Sequence, residues 1–449
     1  MLYDTIVGIA TLRGTSAINV IRVSGDDAIA AVASVFRGRD LNDVPSHSVA
    51  YGHIVDDGFV VDEVLVSVFR EPKSFTAENV VEISTHGGFL IPEKIVSLLV
   101  SKGCRAAEPG EFTRRAYLNG RIDLSQAESV MDLINARTDA QLRLAHQGLD
   151  GRVSVLVAGL QKEILDVVAA IEVNIDYPEY DDVVVMTDAV LAPRLTDMAA
   201  RIADILSKAE TGKVIREGVR AVIVGKPNVG KSSLLNILLK EEKAIVTEIS
   251  GTTRDLVEGE LNLGGITLRL IDTAGIRETT DVVESIGIAR SRKAMAEADL
   301  VILVLDQSAS FTETDRQLLE VTRNKPRIVV GNKVDLGKRT PEGVDRMIDV
   351  SAKDGTGIAE LEREVRRLFV DEAVVASGET IVANARHIGK LKEAATALRD
   401  ALDACAAHRP VDMIELDIRR AWESLGEITG ESGSDLLIET LFSRFCLGK

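Results

Sequence analysis

Residues 225–232 read GKPNVGKS, a pattern that few folds accommodate. It matches G-x-x-x-x-G-K-[ST], in which two glycines allow a tight turn whose backbone N–H groups converge on phosphate oxygens. An apolar, β-branched run at 219–224 precedes the pattern, and a helix-like apolar run at 233–239 follows it. This order of strand, loop and helix predicts a phosphate-binding loop within a parallel α/β domain.

The side chains of this loop are expected to have separate duties. Lys231 would reach the terminal phosphates, and the Ser232 hydroxyl would bind Mg²⁺. The helix that begins there directs the positive end of its dipole at the bound anion. The loop alone does not distinguish ATP from GTP. Its candidate nucleotide-binding residues are Asn228, Val229, Gly230, Lys231, Ser232 and Ser233.

The base is indicated by Asn332-Lys333-Val334-Asp335, which follows an apolar strand downstream. The Asp335 carboxylate would accept hydrogen bonds from the N1–H and 2-amino groups of guanine, which adenine does not offer. A carboxylate buried against the base would be left unpaired by adenine, so such a site rejects it. After the next strand, a backbone N–H for the guanine carbonyl is supplied by Ser351, Ala352 and Lys353. The sequence therefore predicts GTP.

Two further segments lie between these motifs. Asp272-Thr273-Ala274-Gly275 closes a predicted strand, where the acid can hold Mg²⁺ through water and the glycine N–H can sense the γ-phosphate. Thr253 is the candidate for the second hydroxyl on Mg²⁺. The next residue after Gly275, Ile276, cannot orient a water molecule as the glutamine of Ras-like enzymes does. The residues alone leave this role open among three acids, Glu278, Asp281 and Glu284.

The spacing of apolar residues predicts the domain organisation. Residues 1–118 show short strand-like runs and an apolar helix at 91–100, typical of an α+β domain. Residues 119–215 and 373–449 show spacings of three and four, typical of packed helices, one of which is expected at 189–209, before Gly212. Residues 216–372 alternate strand and helix. The expected fold is multidomain α/β, with a Ras-like G domain built on a parallel sheet and inserted in a helical domain.

Charge and cysteine content exclude several classes of protein. The 53 Lys and Arg against 70 Asp and Glu give a formal charge of −17, which argues against a non-specific nucleic-acid coat or an anionic membrane as partner. Cys104, Cys405 and Cys446 are far apart, so neither a disulfide framework nor a clustered metal site is indicated. No apolar run approaches the ~20 residues that span a bilayer, and a soluble cytoplasmic protein is expected.

Over essentially its full length, the chain resembles the MnmE (TrmE) family of tRNA-modification GTPases. Besides the nucleotide motifs, the resemblance rests on DTIV at 4–7, IRVSG at 21–25, HGG at 86–88, PGEFT at 109–113, NGRIDLSQAE at 119–128 and FCLGK at 445–449. It implies a homodimer that works with an FAD-dependent partner, MnmG, as a heterotetramer. Together they place an aminomethyl or carboxymethylaminomethyl group on C5 of the wobble uridine, position 34, of certain tRNAs.

The resemblance also implies roles in hydrolysis. Glu284 matches the water-orienting acid of the family, and the G domains of a dimer meet across their switch regions. K⁺ would supply the charge that an arginine finger supplies elsewhere, held by Asn228, Thr247, Ile249 and Thr252. The nucleotide-binding segment that ends at the Mg²⁺ threonine comprises Thr247, Glu248, Ile249, Ser250, Gly251, Thr252 and Thr253.

The N-terminal domain is similar to the folate-binding fold of aminomethyltransferases. This implies a site for 5-formyltetrahydrofolate or a related tetrahydrofolate, with contacts from Arg22, Glu82, Arg121 and Lys449. Position 121 is frequently lysine in the family, and arginine keeps the charge with a different geometry. Cys446 is implied in the modification chemistry, in a role that is not assigned.

Two other functions compete with this interpretation. A regulatory or ribosome-assembly GTPase would need a basic RNA-binding module, which the formal charge of −17 disfavours. The N-terminal domain is also compatible with a free-standing one-carbon transferase that the GTPase regulates.

Overall fold

The computed structural model describes residues 4–176, 188–240, 259–271, 294–341, 343–344, 346–431, 435–443, 445 and 448. The chain divides into two compact units. Unit 1 comprises Met1–Met131, Leu149–Gln161 and Leu425–Lys449, and unit 2 comprises Asp132–Gly148 and Lys162–Ser424. Within the described ranges, no helix is long and apolar enough to cross a membrane.

The strands and helices follow the predicted pattern closely. The strands are β1 (Ile6–Ile9), β2 (Ile18–Ser24), β3 (Phe36–Gly38), β4 (Ser48–Asp56), β5 (Phe59–Phe69), β6 (Val80–His86), β7 (Arg105–Ala106), β8 (Val219–Val224), β9 (Gly259–Leu263), β10 (Ile266–Leu270), β11 (Leu300–Asp306), β12 (Arg327–Asn332) and β13 (Ile348–Asp349). The helices are α1 (Ala28–Ala33), α2 (Leu90–Ser101), α3 (Glu111–Leu118), α4 (Leu124–Asn135), α5 (Asp139–Leu149), α6 (Arg152–Asp176), α7 (Asp188–Glu217), α8 (Lys231–Lys240), α9 (Glu313–Val321), α10 (Ile358–Phe369), α11 (Glu372–Ala376), α12 (Ala385–Ala406), α13 (Val411–Thr429) and α14 (Asp435–Phe442).

The N-terminal part of unit 1 is a 7-stranded sheet in the order β3-β4-β5-β6-β2-β1-β7. Its strands are antiparallel except for the parallel pair β1 and β7. Alternate residues of β5, Val64, Val66 and Val68, are buried on the face that packs with α1 and α2, as the period of a half-buried strand requires. On the other face, Tyr51 and Leu65 are exposed. The α+β prediction is confirmed.

The phosphate-binding loop belongs to a 6-stranded sheet in unit 2, in the order β13-β12-β11-β8-β10-β9. Its strands are parallel from β13 to β10, and β11 is buried along its whole length, as expected for a strand covered on both faces. The prediction of a parallel sheet is confirmed for these five strands, and one edge strand that was not predicted, β9, pairs antiparallel with β10. Gly264 and Gly265, with φ of +63° and +81°, form the two-residue turn between them. The predicted fold class, multidomain α/β with a nucleotide-binding domain, is confirmed.

The helical part of unit 2 differs from the prediction in one respect. The helix expected to end before Gly212 continues to Glu217. A Cβ at Gly212 would lie 2.5 Å from Ile381 Cγ2, so this glycine allows close packing and does not break the helix. Along α12, Leu391 and Leu398 are buried on one face. The proposed domain boundaries at 118, 215 and 372 stay predictions.

Candidate functional sites

The backbone of the phosphate-binding loop requires its glycines. A Cβ on Gly225 would lie 2.5 Å from the Val304 carbonyl oxygen, on the neighbouring strand β11. Gly230 has a φ of +95°, and a Cβ there would lie 2.2 Å from Asn332 Nδ2. Asn228 adopts a positive φ of 64°, a conformation that asparagine tolerates better than most side chains. The loop is thus folded tightly between the end of β8 and the start of α8.

The Lys231 side chain folds back over the phosphate-binding loop, so that its ammonium group contacts the backbone at the start of the loop. Lys231 Nζ donates to the carbonyl oxygens of Gly225 and Lys226, both at 2.9 Å. Burial lowers the pKa of this ammonium group. Ser232 and Ser233 lie in the first turn of α8, where the backbone N–H groups and the helix dipole favour an anion. The glycine turn, the lysine, the serines and the helix terminus together form a site for phosphate.

The predicted base-recognition residues lie against this loop. Asn332 is buried, and its Nδ2 donates to the Val229 carbonyl oxygen at 2.8 Å while its Oδ1 accepts from the Ala352 N–H at 3.0 Å. Lys333 Nζ donates to the Asn228 carbonyl oxygen at 2.8 Å. Asp335 lies exposed in the turn that follows β12. The structure therefore brings together the loops at 228–233, 332–335 and 351–353.

Asp306 belongs to this arrangement although the sequence did not single it out. Its Oδ2 accepts from Lys333 Nζ at 2.7 Å, and its Oδ1 accepts from Ser308. Burial acts to raise the pKa of the Asp306 carboxyl, but the bonds from Lys333 and Ser308 outweigh it and lower the pKa. The sequence does contain a signal for Asp306, because it is the acidic last residue of β11, whose other residues are all apolar.

In unit 1, the residues predicted to bind a folate also converge. Arg22 and Glu82 face each other across β2 and β6, with Arg22 Nε donating to Glu82 Oε1 at 2.9 Å. Arg121 Nη1 donates to the Phe75 carbonyl oxygen at 2.7 Å. The guanidinium of Arg22 lies 4.8 Å, and that of Arg121 5.2 Å, from the centre of the Phe75 ring. Residues far apart in the sequence thus surround one aromatic ring.

The C-terminal tail reaches the same cluster. The Gly448 carbonyl oxygen accepts from Arg22 Nη1 at 3.4 Å. Gly448 has a φ of +87°, and a Cβ there would lie 2.3 Å from the Ile9 carbonyl oxygen, so the tail packs on β1. The sequence did not predict Phe75 as a site residue, because a lone phenylalanine in a loop carries no periodic signal. Phe112, whose ring centre lies 5.6 Å from the Arg22 guanidinium, belongs to the PGEFT segment at 109–113 and is a further residue of this cluster that the sequence did not predict.

Several predicted residues lie outside the part of the chain that the structure describes. They are Thr247, Glu248, Ile249, Ser250, Gly251, Thr252, Thr253, Asp272, Thr273, Ala274, Gly275, Glu284, Cys446 and Lys449. Their roles stay predictions.

Two family models together match most of the chain. Residues 5–121 match the model described as GTP-binding protein TrmE N-terminus, and residues 124–446 match the MnmE helical domain. The chain belongs to the MnmE family. The MnmE assignment agrees with a nucleotide-binding domain enclosed by helical segments, since the match to the helical domain extends on both sides of it.

Curated relatives agree over the whole length. The tRNA modification GTPase MnmE of Lactococcus lactis subsp. cremoris is 51% identical, covering 100% of this chain and 99% of its own. Those of Streptococcus mutans serotype c and Bacillus anthracis are each 49% identical, covering 100% of this chain and 99% and 100% of their own. Among solved structures, the G domain of the T. maritima FeoB iron transporter is 28% identical and covers 33% of this chain and 97% of its own. The TM-score of this match is 0.26, and the MnmE assignment does not rest on it.

Proposed function

We propose that this MnmE-family protein hydrolyses GTP in the service of tRNA modification, forming the aminomethyl or carboxymethylaminomethyl group on C5 of wobble uridine 34 with an FAD-dependent partner. Membership of a family of tRNA modification GTPases supports the activity and the class of substrate. The partner, the position on the tRNA and a cytoplasmic location come from the family resemblance.

The main support for GTP binding is the position of the Asn332 side chain, which joins the phosphate-binding loop to the loop at 351–353 by two hydrogen bonds. A purine triphosphate bound with its phosphates on the N-terminus of α8 would place its base beside these loops. Asp335 would pair with N1–H and the 2-amino group of guanine, and the Ala352 region would supply a backbone donor. Lys231 would hold the terminal phosphates.

The oxygen atoms available in and beside the phosphate-binding loop also suit Mg²⁺ and K⁺ as ligands. Ser232 supplies a hydroxyl oxygen, the hard ligand that Mg²⁺ prefers, and Thr253 would supply the second. Asn228 is exposed at the tip of the loop in a left-handed conformation. Its amide oxygen, with Thr247, Ile249 and Thr252, would hold K⁺ through neutral oxygens. When bound, this ion would stabilise the negative charge that develops on the phosphates.

The Arg22, Glu82 and Arg121 cluster fits a tetrahydrofolate. A carboxylate can pair with the amino-pyrimidine edge of a pteridine, and cations suit its glutamate tail. Phe75 offers a ring for stacking between the two guanidinium groups. Arg22, Glu82, Arg121 and Lys449 would hold the group, which supplies a one-carbon unit when bound.

The open face of the N-terminal sheet supports a homodimer. Val49, Tyr51 and Leu65 are exposed side by side on β4 and β5, an apolar surface on the same face as Glu82. A second copy of the chain would cover it.

The test is GTP hydrolysis by the purified protein in KCl and in NaCl at equal ionic strength. We expect a faster rate in KCl, and we expect Asn228→Ala to remove most of that advantage. Equal rates in the two salts would contradict the role of K⁺ at Asn228, and absence of GTP hydrolysis in both would overturn the proposed activity.

A further inference from the structure

Lys226, the second residue of the phosphate-binding loop, forms an ion pair that the nucleotide motifs do not include. Its Nζ lies 2.7 Å from Asp315 Oδ2 on α9. The Asp315 side chain is 1% exposed, whereas that of Lys226 is 19% exposed. A fully buried carboxylate is costly unless a cation and hydrogen bonds compensate it, so the pair fixes Lys226 strongly.

The local structure of α9 holds this carboxylate in place. Thr312, which caps the N-terminus of α9, donates to Asp315 Oδ2 from its backbone N–H at 2.8 Å and from its hydroxyl at 2.9 Å. Three donors therefore converge on a single oxygen. Among the residues that the structure describes, Asp315 Oδ1 has no hydrogen-bond partner and is buried. The carboxylate thus has little freedom to turn away from Lys226.

The backbone of Lys226 is also part of the phosphate site. Its carbonyl oxygen is one of the two acceptors of the Lys231 ammonium. The opposite side of the loop is held separately, because Asn332 and Lys333 donate to the carbonyl oxygens of Val229 and Asn228. The loop is therefore clamped on both sides, by the guanine-recognition motif on one side and by Asp315 on the other.

We propose that Asp315 is a positioning residue for GTP hydrolysis: through Lys226 it holds the first arm of the phosphate-binding loop in the conformation that aligns Lys231 with the phosphates. This inference rests on the proposed function, in which the loop binds GTP. A loop held in its binding conformation before the nucleotide arrives avoids an ordering cost on binding, so loss of the clamp lowers affinity.

The experiment compares the full-length protein with four variants at the loop and one control. Lys226→Met removes the charge but keeps the stem, and Asp315→Asn keeps an oxygen that can accept from Thr312. The other two are the double variant and Lys226→Arg. The matched control, Arg220→Met, breaks the Arg220–Asp299 pair at the opposite end of β8, with its nearest atoms 2.9 Å apart. Each protein is checked for folding by circular dichroism, and its Kd for a fluorescent GDP analogue and its kcat and KM for GTP are measured.

We expect each single variant to raise the Kd for the GDP analogue about tenfold, and the double variant to raise it no further, as for two groups acting as one unit. Lys226→Arg should restore the Kd to within about threefold of the parent, and Arg220→Met should leave it unchanged. Single variants that lose thermal stability but keep the parent Kd, KM and kcat would overturn the inference. So would a double variant whose loss is the sum of the two single losses. Failure of the parent itself to bind the GDP analogue would instead contradict the proposed function.

Discussion

The side-chain amide of Asn332 donates to the carbonyl oxygen of Val229 at 2.8 Å. This bond ties the end of β12, where the base is expected to be recognised, to the middle of the phosphate-binding loop. The same side chain accepts from the Ala352 N–H at 3.0 Å. One buried asparagine therefore links the loop that is expected to bind phosphate to the segments that are expected to recognise the base.

Replacing Asp335 by asparagine should change the nucleotide preference. The carboxylate would no longer accept from the N1–H and 2-amino groups of guanine, whereas a carboxamide can donate to the 2-oxo group of xanthine. We expect Asp335→Asn to weaken GTP binding about 100-fold and to improve binding of xanthosine triphosphate. Competition binding with both nucleotides measures this. Asp299→Asn, at the other end of the sheet, is the control and should keep the GTP preference; an unchanged preference in Asp335→Asn would exclude its role.

Glu284 is predicted to orient the attacking water, so its loss should affect the transition state more than the bound nucleotide. We expect Glu284→Ala to lower kcat about 100-fold with little change in the Kd for GTP. Glu278→Ala and Asp281→Ala serve as controls, since they remove neighbouring acids and should keep most of the activity. If one of these controls loses the activity and Glu284→Ala does not, the water-orienting role belongs to that residue. If the Kd rises in Glu284→Ala, its role is in binding.

The Arg22–Glu82 pair allows a test of the proposed folate site. We expect Glu82→Gln to weaken binding of 5-formyltetrahydrofolate about tenfold, because the amide cannot pair in the same way with the amino-pyrimidine edge. Titration calorimetry with the full-length protein measures the Kd. Glu63→Gln, on an exposed position of β5 in the same sheet, is the matched control. Equal affinity in Glu82→Gln and the parent would place the folate elsewhere or exclude it.

The sequence predicted those parts of the site whose chemistry is local. The residues of the loop at 225–232 and of the motif at 332–335 lie within short segments, so spacing alone identifies them. Asp315 is not visible in the sequence because it reaches Lys226 across a large sequence separation, whereas Asp306 has a local signal at the end of an apolar strand but finds Lys333 only in the fold. Only the packing of β11 and α9 beside the loop brings these charges together.

The errors in the fold have a similar origin. Gly212 carries a helix-breaking signal, but its close approach to Ile381 depends on the partner segment, which lies far along the chain. The β9–β10 hairpin, in contrast, has a local signal in the sequence, because the glycine pair Gly264-Gly265 is typical of a two-residue turn. In unit 1, the position of Phe75 between Arg22 and Arg121 depends on the sheet register and was not visible in the sequence.

Arg115 should govern the acid stability of unit 1. It is 1% exposed and pairs with Asp4 at 2.7 Å, and with Glu78 and Glu111 each at 3.2 Å. Burial acts to raise the pKa of the Asp4 and Glu111 carboxyls, but the hydrogen bonds from Arg105 outweigh it and lower both, with the Glu108 N–H adding to the effect at Glu111 and the charge of Arg115 adding to it at both. Because the folded values lie below the ordinary 3.8 and 4.5, this stabilisation is present above about pH 4.5 and is lost as the pH falls through the folded values.

We therefore expect Arg115→Met to lower the free energy of unfolding at pH 7 by about 3 kcal/mol, since it removes the buried cation that pairs with Glu78 and Glu111 and leaves Glu111 with Arg105 alone. The pH of acid unfolding should also rise. Urea unfolding at several pH values measures both changes. Arg13→Met, which breaks the exposed Arg13–Glu93 pair, is the control and should cost less than about 1 kcal/mol. An equal decrease in the free energy of unfolding in the two variants would show that the buried Arg115 cluster stabilises the protein no more than an exposed ion pair does.

If GTP hydrolysis by this chain serves wobble-uridine modification, loss of its gene should remove that modification from tRNA. Nucleoside mass spectrometry of tRNA from a strain that lacks the gene tests it most directly, with the gene restored as the parent or as Asp335→Asn. We predict that the C5 aminomethyl and carboxymethylaminomethyl groups on uridine 34 disappear, return with the parent and stay absent with Asp335→Asn. Unchanged C5 modification in the strain without the gene would contradict the claim.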